Sequence, residues 1–261
     1  MRYALPRALG ALFLFSVAAS GQAAKPFNPR DLNGNWNMTS RVQTYANVPG
    51  GRGGGVEAPF TAAGRAAYEK HKPGYGPRAI PPALGNDPMG MCDPLGIPRN
   101  IVTGWAPLHD WIDILQGPTR TVFFIEWHHD YRVVWTDGRQ LPNPEEVDPK
   151  WNGYSVGHWD GDTFVVDSMG FDDRTWVDKF GYPHTDQMKL QERWRRVNAD
   201  TLELRMTVTD AEYYTQPWES DARTFTFHPE KAKEWDEQLY CAPSEEFRFN
   251  QGVRNGAGGV K

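Results

Sequence analysis

The chain has only two cysteines, Cys92 and Cys241, among 261 residues. That scarcity excludes a disulfide-dense scaffold, and two thiols so far apart do not form a zinc signature. In an oxidising compartment they would form one bond, closing a loop of roughly 150 residues and stabilising the fold by a few kcal/mol through chain entropy; a pair of free thiols is the alternative. Long apolar runs are also missing. The only one is 8–19, too short to span a bilayer as a helix. No cationic excess exists, since the formal charge is −5, and this argues against a nucleic-acid partner. The chain contains no phosphate loop, dinucleotide fingerprint or internal repeat.

The short apolar run has a plain reading. Arg2 and Arg7 precede it, and Gly21-Gln22-Ala23 follows as a small-x-small site. This order predicts a secretory signal over 1–23 and a periplasmic or secreted mature chain of about 238 residues. Loss of the two arginines takes the formal charge from −5 to −7. No later stretch approaches membrane-span length.

Aromatics are abundant: eleven Trp, ten Tyr and thirteen Phe. Residues 24–110 are rich in Gly and Pro, include the G-G-R-G-G-G loop at 50–55, and read as an irregular wrap. Within it, 60–72 predicts one short helix capped by Thr61. From 111 to 241 the pattern changes to short strands: 111–116, 119–127, 131–136, 154–159, 162–168, 189–196, 201–209, 223–228 and 235–241. Asp137-Gly138 and Asp160-Gly161 predict hairpin turns. Residues 242–261 read as a flexible tail. Asn33-Gly34-Asn35-Trp36 places a Gly-x-Trp on a first strand near 34–38, which looks like a lipocalin opening motif. The expected fold is all-β: a single antiparallel lipocalin-like barrel.

Several long motifs belong together. They are C-D-P-L-G-I-P-R (92–99), E-W-H-H-D-Y-R (126–132), W-T-D-G-R (135–139), Y-S-V-G-H-W-D-G-D-T-F-V-V-D (154–167), G-F-D-D-R-T-W (170–176) and G-Y-P-H-T-D (181–186). Over roughly 57–241 the chain resembles a widespread family of exported bacterial proteins, frequent in acidobacteria and sphingomonads and loosely tied to breakdown of plant-derived aromatics. The tail at 242–250 departs from the acidic, Asn-containing ending of many members.

The strand-forming runs at 119–178 mix titratable groups with large aromatics, as a ligand cavity requires. Glu126, His129 and Arg132 lie on a strand-turn-strand unit. A buried Glu beside His and Arg is suited to proton transfer; a surface ion-pair network at a hairpin is the alternative. The faces of His128 and His129 stay unassigned because a turn at 128–130 would break the strand parity; the resemblance favours His129. His184, in a Gly-Pro loop, is the third candidate acid/base. Arg132 and Arg139 are candidates to hold a substrate carboxylate, and Asp137 and Asp160 are turn residues. Trp127, Tyr154, Trp159 and Glu192 complete the expected substrate-binding set. Trp159 points inward, His158 outward, and Leu190, Glu192 and Trp194 share one inner face. No fixed metal-ligand geometry is present, so no metal or other cofactor is expected.

These features predict a cofactor-free acid/base enzyme for a small aromatic or phenolic compound, most simply a lyase performing decarboxylation or elimination. Phenolic acid decarboxylases offer an analogy at the level of a barrel that needs no cofactor. A lipocalin-like carrier of a lipophilic molecule is the other reading, and a filled structural barrel a third. The oligomeric state is left open.

Overall fold

The structure is a computed structural model. It describes residues 26–39, 44–46, 57–102, 111–230, 241–243, 248–249 and 252–253. The signal at 1–23, the glycine loop at 50–55, the strand expected at 235–241 (all but Cys241) and most of the tail at 242–261 lie outside the described residues.

Among the described residues ten strands make one sheet: β1 (Gly34–Met38), β2 (Trp111–Gln116), β3 (Arg120–Ile125), β4 (Asp130–Trp135), β5 (Tyr154–Asp160), β6 (Thr163–Met169), β7 (Lys189–Asn198), β8 (Thr201–Thr209), β9 (Trp218–Glu219) and β10 (Arg223–Phe227). β10 pairs with both β1 and β8, so nine strands close into a barrel and β9 lies beside the far half of β8. Closure explains the alternation: Leu190, Glu192 and Trp194 on β7 and Leu202, Leu204, Met206 and Val208 on β8 are buried, while Gln191, Arg193 and Arg195 are exposed.

The expected antiparallel barrel needs one correction. β4 and β5 run parallel and share a single register pair, Trp135 with Val156. A parallel neighbour requires a crossover, and the segment 136–153 provides it. Asp137-Gly138 is therefore not a hairpin turn. Gly138 has φ +86°, but the chain beyond it carries Pro142, Pro144 and Pro149, which cannot donate to a returning ladder. Asp160-Gly161 does close a hairpin, with Asp160 opposite Thr163. Strand β3 stops at Ile125 rather than 127, because Trp127–His129 forms a 3-10 turn. The two-residue β9 was not anticipated from sequence.

One end of the barrel closes on Trp36. It is fully buried, donates Nε1–H to the Leu32 carbonyl at 2.8 Å, and packs against Phe227 with Arg196 over its ring. At the other end, 170–188 folds back with helix α1 (Ala62–Lys70), burying Phe171, Trp176, Phe180 and Tyr182. Thr61 caps α1 by accepting from the Gly64 amide. Inside the barrel Phe123, Phe164, Trp194 and Phe225 fill the space. Gly157 faces them: a Cβ there would lie 2.6 Å from Phe164 and 2.8 Å from Val134. Cys92 and Cys241 are bonded.

Candidate functional site

The parallel seam is where the barrel wall opens. With one ladder pair between β4 and β5, side chains hold the rest. Asn152 donates to the Asp130 carboxylate at 2.9 and 3.0 Å, and Asn100 donates to the same group at 3.1 Å. Against this seam lies a pocket of about 810 Å³, within the range of small-molecule sites. Tyr131, Trp135, Trp151 and Tyr154 supply its flat apolar wall.

Strand parity gathers a polar cluster inside the barrel behind it, of which Arg132 and Ser155 reach the lining. Arg132 on β4, Ser155 on β5, Ser168 on β6 and Glu192 on β7 all point inward and are buried. Arg132 donates Nε–H to Ser155 at 3.1 Å and Nη2–H to Ser168 at 2.8 Å, and the two hydroxyls are 2.9 Å apart. Glu192 Oε2 is 2.5 Å from Arg132 Nη2, lying off the N–H direction, so the contact is an ion pair rather than a directed hydrogen bond. Arg132 Nη1 and Glu192 Oε1 have no hydrogen-bond partner among the described residues. Buried polar atoms are ordinarily satisfied, so an unused guanidinium donor in a pocket wall marks a place for an acceptor.

The rim repeats one device twice. Asp137 Oδ1 accepts from the Arg139 amide and Nε, and Oδ2 accepts from Nη2 at 2.6 Å; Arg139 lies 3.7 Å over the Trp135 ring. Asp172 and Arg174 make the same bonds, with Arg174 4.2 Å over Trp151. The arginine bonds hold both carboxyls below the ordinary carboxylate range. Each aspartate occupies Nε and Nη2, which fixes the guanidinium plane and leaves Nη1 for a ligand or water. Lys150 sits 4.0 Å over Tyr154. The lining thus carries Arg132, Arg139, Arg174 and Lys150 against one acid, Asp172.

Of the residues expected from sequence, the seam brings together Arg132, Arg139 and Tyr154, with Glu192 directly behind Arg132. Tyr154 faces the pocket from outside the barrel, and its hydroxyl donates to the Asp148 carbonyl. The others sit elsewhere. Glu126 is fully enclosed at the start of the 3-10 turn, Trp127 is half-buried against the core, and His129 is exposed with φ +50°. The His128 side chain lies outside the described residues. Trp159 points inward onto Phe164, and His158 is exposed. His184 is buried in the 170–188 loop. Its Nδ1–H donates to the Thr185 carbonyl at 2.9 Å, so Nε2 accepts from Thr175 at 2.6 Å. Burial lowers its pKa below 6.5, the Thr185 bond and nearby aspartates partly offsetting this. Among the described residues no three His, Cys, Asp or Glu side chains gather to hold a metal. The residues missed were Trp135, Trp151, Lys150, Arg174, Ser155 and Ser168. A signal for part of them was present: Trp135…Asp137-x-Arg139 and Trp151…Asp172-x-Arg174 place the same three residue types in the same roles.

His184 also carries a prediction. Its folded pKa lies below the unfolded one, so the unfolded chain takes up the proton first as pH falls. The stability it contributes is intact above about 6.5 and is lost below it; His71, lowered mainly by burial and stacked on Trp176, acts in the same sense. The urea midpoint is therefore expected to be lower at about pH 5.5 than at about pH 7.5. The difference should shrink in His184→Gln. An undiminished difference in that variant would remove His184 from the account.

Comparison of the chain with protein-family models, with curated proteins and with solved structures finds no match.

Proposed function

We propose that this chain binds a small aromatic carboxylate at the β4–β5 seam and acts on it as a cofactor-free acid/base lyase. The observation that carries the reading is the buried Arg132, whose Nη1 has no hydrogen-bond partner among the described residues, in the lining of a pocket that also presents Trp135, Trp151 and Tyr154. A carboxylate satisfies that donor, and Arg139 and Arg174 offer two more from fixed planes at the rim. The ligand ring would stack among Trp135, Trp151 and Tyr154. In decarboxylation the bond to the carboxylate carbon breaks, carbon dioxide leaves, and a proton must arrive at the carbon left behind. That proton would come from water at the open rim, while the Glu192 carboxylate behind Arg132 holds the guanidinium in place. The Cys92–Cys241 bond supports a location outside a reducing compartment, in line with an exported chain.

A carrier is the second reading, favoured by one observation: the sole acid in the lining, Asp172, is occupied by Arg174. The charged walls suit an anion better than the purely lipophilic cargo of a lipocalin-like protein. One experiment separates the two. Benzoate, 4-hydroxybenzoate and ferulate are titrated into the protein, then incubated with it and followed by mass spectrometry. Binding with loss of 44 mass units, about one carbon dioxide, supports the lyase; binding with unchanged ligand supports the carrier. The Arg139→Ala variant is expected to bind about tenfold more weakly, the usual worth of one charged hydrogen bond. Unaltered affinity in that variant, or no binding of any of the three acids, sinks the site.

A further inference from the structure

The seam pocket does not stand alone. A second pocket of about 610 Å³ shares Gln140, Leu141 and Val156 with it, so these residues form a common partition. The sheet register shows what lies beneath. Trp135 pairs with Val156, Val156 with Asp167, Asp167 with Gln191, and Gln191 with Thr207. All five lie on the outer face, since Val134, Ser155, Ser168, Glu192 and Met206 beside them point inward. They form one straight row across β4, β5, β6, β7 and β8. Four steps at about 4.8 Å per strand give a track of roughly 19 Å.

Chemistry changes along that track. At the Trp135 end the lining is aromatic and cationic. Beyond Val156 it has no aromatic side chain and presents Gln140, Asp167, Lys189, Gln191, Thr207 and Thr209. Gln191 Nε2 donates to Asp167 Oδ1 at 2.9 Å, which aligns an amide oxygen and a carboxylate oxygen along one edge. That edge offers acceptors from Asp167 and Gln191 and donors from Lys189, Thr207 and Thr209, as a hydroxylated unit requires. The Asp167 carboxylate disfavours a second anionic group. A track of this length exceeds a single aromatic acid.

We infer that the ligand is a two-part molecule: an aromatic carboxylate whose ring carries a neutral polyhydroxylated unit, such as a sugar, seated on the outer face of β6–β8 beside Gln140 and Leu141. This rests on the aromatic-carboxylate reading of the seam pocket. The second unit sets specificity, because hydroxyls that match built hydrogen-bond partners discriminate against an analogue lacking them.

The test compares two probes by calorimetric titration: 4-hydroxybenzoate and its 4-O-β-glucoside. The glucoside is expected to bind at least about tenfold tighter. Gln191→Ala removes the amide, and Thr207→Tyr fills the groove. Both positions point outward, and neither belongs to the seam pocket. Each variant should erase the gain for the glucoside and leave 4-hydroxybenzoate unaffected. Equal affinity for the two probes, or a gain that survives both variants, overturns the second subsite while the seam pocket stands. Binding of neither probe overturns both.

Discussion

Glu192→Gln is expected to destabilise the protein by about 3–5 kcal/mol, the usual consequence of removing one partner from a buried ion pair. Arg132 and Glu192 have side chains 1% and 0% exposed, so the guanidinium left behind cannot recover its hydration. Two serine hydroxyls would remain to it, and neither carries charge. For a chain of this size the melting temperature should fall by roughly 10 °C or more. The double variant Arg132→Met, Glu192→Leu removes both charges and is expected to recover most of that loss, because an apolar pair of similar volume is often as stable. It should not recover ligand binding or turnover, since the buried guanidinium of the pocket lining is gone. Calorimetric melting of the three proteins checks the first statement, and titration with an aromatic acid checks the second. If Glu192→Gln melts with the parent, the cluster is solvated and the buried-pair argument fails.

The second large effect belongs to the disulfide. Cys92 and Cys241 are separated by 149 positions. In the chain-entropy model a loop of that length limits the unfolded ensemble by about 5 kcal/mol. Cys241→Ser, or reduction of the parent, is therefore expected to lower the melting temperature by roughly 10–20 °C. The bond ties the 88–92 turn of the N-terminal wrap to the segment beyond β10. Neither cysteine lines the seam pocket, so affinity for a small ligand, measured well below the melting range, should stay within about twofold. A variant that melts with the parent would show that the link constrains little.

Much of the barrel was legible because its signals are local. Period-two alternation placed Leu190, Glu192 and Trp194 on one inner face, and the structure agrees. The Gly-x-Trp at 34–36 marked β1, and Asp160-Gly161 marked the β5–β6 hairpin. The seam was illegible for a physical reason. An Asp-Gly pair directs the backbone equally well into a hairpin or into an Asx turn that begins a crossover, and what decides is the run of prolines after it. The site was half legible for a related reason. Arg132, Arg139, Tyr154 and Glu192 could be found as charged or phenolic groups in strand-forming runs. Their partners could not: Trp151 and Arg174 reach the pocket from separate loops, and Ser155 and Ser168 meet only through the β5–β6 register. His184 attracted notice by chemistry and loop context, yet both its ring nitrogens are engaged by neighbours in its own loop.

Closure by β10 has a consequence for synthesis. Trp36 on β1 is opposite Phe227 on β10, so β1 waits for a strand made about 190 residues later. Until residues 223–227 emerge, one edge of β1 and the 201–204 edge of β8 present bare amides and carbonyls. Bare edges pair with any extended chain nearby. The danger of aggregation therefore falls on nascent and C-terminally clipped chains more than on full-length chains with an altered pocket.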